Sequence, residues 1–216
     1  MITYNWTCPL LWEEQTVFII GGGPSVNETP LHLIHDRNVI GVNSAFRFGD
    51  WIDVCLFCDA CWFNLEYEEL RSHYRGQVIG LYPFQDKEEL NQHDGVNVKL
   101  LCRAKQPRGL ANSQSNLRYN SSCGGAAIDL AVHLGVRSIV LIGYDMRAVN
   151  GRYNFHDCYP WRPIKESGPY TLHKKAYPTL NIALKKEGIK IINATPNSTI
   201  GCLPIMTLEE AIEEVA

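Results

Sequence analysis

Residues 18–26, FIIGGGPSV, pass from three apolar side chains into three glycines, Pro24 and Ser25. An apolar run that empties into glycines reads as the carboxyl end of a buried strand, the place where a doubly wound sheet holds its ligands. Glycines there admit φ > 0 and let backbone N–H groups approach a phosphate or ribose, and a proline directly after them suits the first turn of a helix. The stretch is not a Walker A loop, because no Gly-Lys-Ser/Thr follows. Nor is it the dinucleotide fingerprint: Val26 stands where a third glycine belongs, and the next strand run, NVIGVNSAF, ends on Asn43 rather than on an acid for the ribose. The reading is a nucleotide site other than one for NAD, with Asn43 placed to contact base, ribose or phosphate. A glycine turn that merely packs tightly is the plain alternative.

Outward from this stretch, short β-rich runs alternate with helical segments. The strand runs fall at 16–20, 38–42, 53–57, 77–81, 97–101, 138–142 and 189–192. Several are continuously apolar, as in a parallel sheet covered on both faces. The clearest helix spans 122–135: Ser122 caps it, Ala127, Leu130, Ala131 and Leu134 share one face, and Gly135 suits the position after its end. Further helices are expected at 174–187 and 208–215, the second opened by a Thr207–Glu210 capping box with Met206 and Ala211 as its staple. The pattern predicts one domain over 1–216, a single Rossmann-like α/β/α sandwich with a mostly parallel sheet. Two connections, 102–121 and 146–172, exceed the usual ~4–6 residues and read as lids or binding loops.

Hydrophobic residues make up 45% of the chain and charged ones 20%, the balance of a soluble globular protein. No run approaches the ~18 apolar residues of a membrane span. The N-terminal MITYNWTCPLLWEE has no basic region of a signal peptide, so the expectation is cytoplasmic. Eight cysteines include one tight group, Cys55, Cys58 and Cys61, in DVCLFCDACW, read as a strand running into a turn. An extended strand sends Cys55 and Cys58 to opposite faces, and no second CxxC completes a zinc site, so these read as buried thiols with no metal. A net charge of −3 argues against a wholly nucleic-acid-binding surface, although 95–128 carries Lys99, Arg103, Lys105, Arg108 and Arg118 without an acid. That stretch is either a solvated loop or a polyanion contact.

GGGPSV, the asparagine of GVNSAF, SSCGGAAIDLAVHLGVRSIVLIGYD, NGRYNF and ATPNST occur in order from about residue 17 to about 198. Together they resemble the small bacterial sialyltransferases that act on lipooligosaccharide, and the wider pterin-diphosphokinase-like and flagellin glycosyltransferase group. The resemblance implies a GT-A-like variant of the Rossmann fold without an Asp-x-Asp metal motif, and none occurs here. It implies CMP-sialic acid as donor, held by Gly22, Gly23 and Ser25, by Asn43, and by a turn matching Ser122, Cys123 and Gly124. Cys123 replaces that turn's serine, and Asp59 stands where the family has asparagine. Asp145 closes the Gly-x-Asp strand end, and Asn197 and Ser198 form a turn near the nucleotide.

In the family, two tyrosines of the lid, here about 146–172, stabilise the leaving phosphate. Tyr153 matches the second and Arg147 stands in for the first; an arginine fits a phosphate or diphosphate by a bidentate contact. Inversion needs a base for the acceptor hydroxyl, and a neutral histidine suits it. His173 occupies the family's position, and His156, beside Asp157, competes. The implied activity is metal-independent transfer of a sugar from a nucleotide donor to an acceptor hydroxyl, with no cofactor. Alternatives are a Mg²⁺-dependent pterin-diphosphokinase-like phosphotransferase and a non-catalytic nucleotide-binding module. Glycan, protein and modified DNA base stay open as acceptors, and a homo-oligomer is compatible with the chain.

Overall fold

Parallel pairing organises the whole sheet of the computed structural model, which describes residues 1–84, 89–90, 95–159 and 170–216. Among these residues nine strands form it: β1 (Ile2–Thr3), β2 (Thr16–Ile20), β3 (Asn38–Val42), β4 (Val54–Phe57), β5 (Gln77–Tyr82), β6 (Val98–Arg103), β7 (Asn116–Leu117), β8 (Ser138–Ile142) and β9 (Lys190–Asn193). The order is β1-β6-β5-β4-β3-β2-β8-β9, with β7 also paired to β6. From β2 the chain builds outward through β3 to β6, then returns to place β8 on the other side of β2 and β9 beyond it. This reversal is a topological switch point, and it opens a crevice beyond the carboxyl ends of β2 and β8.

Alternate residues of each strand feed two apolar layers, which is why the strands read as continuous hydrophobic runs. Val17 and Ile19 enter one layer, Phe18 and Ile20 the other. Cys55 and Cys58 divide in the same way, and all eight cysteines are free thiols. The helices are α1 (Ala60–His73), α2 (Cys123–His133), α3 (Tyr170–Lys174), α4 (Tyr177–Lys186) and α5 (Leu208–Glu214). Both caps of α2 form as expected: Ser122 Oγ accepts from Gly125 N at 3.0 Å, and Gly135 takes φ +89°. The Thr207–Glu210 capping box opens α5.

Four expectations change. The turn read after Cys58 is the start of α1, whose buried face carries Trp62, Phe63, Glu66, Tyr67 and Leu70. Glu66 disguises that face in the sequence; it is buried because Ser44 Oγ donates to it at 2.9 Å and Arg47 Nη2 at 2.6 Å. The helix expected at 174–187 forms as α4 and begins only at Tyr177, because Pro178, without an N–H, starts a helix rather than continuing one; α3 precedes it and shares only Lys174 with the expected span. The helix opened by Pro24 is a 3₁₀ segment of five residues, Pro24–Glu28. The connection 102–121 is no lid. Asp129 of α2 accepts from Ala111 N at 3.0 Å and Arg118 N at 2.7 Å, while Asn120 exchanges hydrogen bonds with Gly109 at 2.8 and 3.0 Å. Three of its region's cations are engaged locally: Lys99 over Trp6, Arg103 over Tyr119, and Arg118 on the Arg108 carbonyl and Gln106. Of the proposed lid, residues 160–169 lie outside the described residues.

Candidate functional site

The ends of four strands, the first turn of α2 and the described part of the 146–172 connection enclose a cleft of about 730 Å³ at the switch point. β2 contributes Gly21 to Gly23, β3 leads to Asn43, β4 to Asp59, and β8 to Gly143, Tyr144 and Asp145. Eleven of the sequence-selected residues therefore come together: Gly22, Gly23, Asn43, Asp59, Ser122, Cys123, Gly124, Asp145, Tyr153, His156 and His173 all line it.

The glycines owe their place to the protein's own packing. None of Gly21 to Gly23 has positive φ. A Cβ on Gly23 would lie 1.9 Å from Asp145 Oδ2 and 2.4 Å from the Gly143 carbonyl, and one on Gly21 would lie 2.9 Å from that carbonyl. The triple glycine thus lets the end of β2 press against the end of β8. At Gly22 the neighbour is Asn154 Oδ1, 3.4 Å from such a Cβ, and the Gly22 carbonyl accepts from Phe155 N at 3.0 Å. The glycine turn is the seat on which the described part of the lid rests; Asn27 Nδ2 fastens the same segment by donating to the Phe155 carbonyl at 3.0 Å.

Asn43 takes φ +52°, and its Oδ1 is buried without a hydrogen-bond partner among the described residues. It is an acceptor that a ligand hydroxyl or amine could satisfy. Asp145 is 3% exposed; burial raises its carboxyl, opposed by the Ser25 hydroxyl donating to Oδ2 at 2.8 Å. Burial, with the Cys58 thiol beside it, holds Cys123 well above the usual thiol value, so it meets the cleft as a neutral S–H. The first turn of α2 directs backbone N–H groups and the positive end of its dipole toward the cleft.

Two histidines line the cleft in different surroundings. His156 is held below the usual imidazole value chiefly by burial, and its Nδ1 accepts from Cys158 N at 3.1 Å. A neutral ring so fixed carries its proton on Nε2, where it can donate and cannot accept. His173, on α3, lies edge-on to Tyr170 with 6.5 Å between centroids, and Tyr170 stacks on Tyr153 at 5.9 Å.

Four selected residues stand elsewhere. Ser25, Arg147 and Asn197 border a second cavity of about 470 Å³ behind Asp145, where Arg147 Nε donates to the Asn197 carbonyl at 3.0 Å. Ser198 borders neither cavity; its hydroxyl donates to the Tyr144 carbonyl at 2.6 Å, so it buttresses the end of β8. Residues that sequence reading passed over include Arg152, Tyr170 and Tyr119 on the cleft. Only Arg152 had a local signal, the Asn150-Gly151 turn directly before it.

No family model matches the sequence, and no curated protein matches it. The fold is shared with solved glycosyltransferases. The MAf glycosyltransferase from Magnetospirillum magneticum AMB-1 superposes with a TM-score of 0.66 at 14% identity over 94% of this chain, which spans 35% of that protein's length. The sialyltransferase CstII from Campylobacter jejuni, solved with cytidine-5'-monophosphate, gives a TM-score of 0.50 at 16% identity over 90% of this chain and 86% of its own. The same sialyltransferase with CMP-3FNeuAc gives 0.51 at 17% identity, over 89% and 86%.

Proposed function

We propose that this chain is a glycosyltransferase domain that moves a sugar from a nucleotide donor to an acceptor hydroxyl, with inversion and without a metal cofactor. The observation that carries the reading is the cleft at the switch point, floored by the glycine turn, the first turn of α2 and Asn43, in a fold shared with a CMP-bound sialyltransferase. A CMP-sugar, with sialic acid as the sugar, is the donor the resemblance favours.

In this reading the acceptor O–H gives its proton to His173 as its oxygen bonds to the anomeric carbon. The bond from that carbon to the phosphate oxygen breaks, and its electron pair leaves with the nucleotide. Backbone N–H groups at the start of α2, the Nε2–H of His156 and Tyr153 supply donors for the developing charge. The Cys158 amide on Nδ1 favours His173 over His156 as base, because His156 has no lone pair to offer at Nε2. In this reading Ser25 supports Asp145 at the end of β8 and Asn197 holds Arg147, so neither contacts the nucleotide. Among the described residues no group of three or more His, Cys, Asp and Glu side chains is arranged to hold a metal ion, and the test below reads any metal dependence directly.

The experiment is a thermal-shift panel of CMP, UMP, UDP, GDP and ATP, each in chelator and in Mg²⁺. At 100 times its Kd a ligand adds about 2.7 kcal/mol, roughly 5–10 °C for a domain of this size. Stabilisation by CMP in chelator, followed by transfer from a CMP-sugar, is expected. Stabilisation only by ATP with Mg²⁺ would replace the reading with phosphotransfer. Binding without turnover of any donor would leave a nucleotide-binding module.

A further inference from the structure

A nucleotide donor would meet a charge problem in this cleft. Its described lining holds three carboxyl groups, Asp59, Asp145 and Asp157, against one arginine and no lysine. The arginine is Arg152. Arg152 borders the second cavity as well, whereas Arg147, which the sequence pattern favours, borders the second cavity alone, with its Nε committed to the Asn197 carbonyl.

Arg152 is delivered to the cleft by a tight hairpin. Asn150 takes φ +50° and Gly151 φ +75°, the pair of left-handed residues that a two-residue type I′ turn requires. Val149 and Arg152 exchange both backbone hydrogen bonds across it, at 3.0 and 2.9 Å. The guanidinium then pairs with Asp157 at 2.9 Å, with side-chain exposures of 46% and 85%. Ion pairs this open add little net stability and exchange readily with another anion. A phosphate entering the cleft can therefore take the guanidinium from Asp157, gain a bidentate contact, and hold it in a site less hydrated than the surface.

We propose that Arg152 is the cationic clamp for the donor phosphate, and that Asp157 holds its guanidinium ready when no donor is bound. This rests on the glycosyltransferase reading of the same cleft. Among the described residues of the lid, the clamp places the cation that meets the donor on the residue after the Asn-Gly turn, and Arg147 outside the reaction.

The test is calorimetric titration of CMP and of cytidine, and of UDP and of uridine, into wild type, Arg152→Gln, Arg147→Gln and Asp157→Asn. Arg152→Gln should weaken nucleotide binding at least ~10-fold and leave the nucleoside unchanged, since a hydrogen bond to a charged group carries that magnitude. Arg147→Gln should leave both unchanged. Asp157→Asn should tighten the nucleotide by removing its competitor, and the salt dependence of nucleotide binding should shrink in Arg152→Gln alone. Equal nucleotide affinity in wild type and Arg152→Gln overturns the clamp while leaving the nucleotide site standing. So does an equal loss for nucleotide and nucleoside, which marks general damage to the cleft. Failure of every nucleotide to bind wild type overturns the glycosyltransferase reading itself, and the clamp with it.

Discussion

His156 and His173 share a cleft, and one backbone amide fixes the role of His156. The Cys158 N–H occupies Nδ1 of His156 and leaves that ring a donor at Nε2, while burial disfavours its cationic form. His173 sits instead at the end of an aromatic wall of Tyr153 and Tyr170, on a helix that borders the cleft. In the proposed reaction His173→Ala should lower the transfer rate by about 10²–10⁴-fold, the span of general base catalysis, with nucleotide affinity close to wild type. Single-turnover transfer and titration on the same preparation separate the two effects. Undiminished transfer would move the proton to another group.

At the scale of elements, the meeting of the β2 and β8 ends decides the shape of the cleft. Gly23 has no room for a side chain because Asp145 and the Gly143 carbonyl already fill the space, whereas Gly22 faces only the Asn154 amide at ordinary contact distance. Gly23→Ala should therefore destabilise the domain by about 1–3 kcal/mol or more, as overpacking does, by prising the two strand ends apart. Gly22→Ala should stay within about 0.5 kcal/mol of wild type. Urea midpoints report both, and equal midpoints for the two variants would refute the packing account. The same logic explains the fixed 102–121 connection: a fully buried Asp129 spends its oxygens on that loop's amides, so the loop is tied to α2 and reaches the cleft through Tyr119.

Across the whole molecule, burial is uneven. β2 and β8 lie inside the sheet, between β3 and β9, with Val17, Ile19, Ile20 and Ile139 to Ile142 fully buried, while β1 is a two-residue strand at the sheet edge. Native-state hydrogen exchange should find the amides of β2 and β8 opening only with global unfolding, and those of Ile2 and Thr3 opening locally at far lower free energy. Comparable protection in β1 and in the two buried strands would mean that the sheet opens as one unit. The site draws on this gradient, since its glycine turn, Asn43 and Asp145 follow directly on the buried strands β2, β3 and β8.

Much of the fold was legible because it is written in local terms. The bounds of β2, β3 and β8, both caps of α2 and the capping box of α5 follow from apolar runs and from hydrogen bonds between residues a few positions apart. α1 escaped because its buried face includes Glu66, whose partners Ser44 and Arg47 lie about twenty positions earlier. The sequence by itself determined the parallel sheet, the glycine-ended strand and eleven of the residues that line the cleft. Tertiary structure alone decided that the glycines accommodate Gly143 and Asp145, that Arg152 rather than Arg147 reaches the cleft, and that His156 is a donor. Each of these depends on where separate segments meet in space or which way a ring turns, and such distances are set by packing rather than by periodicity or spacing along the chain.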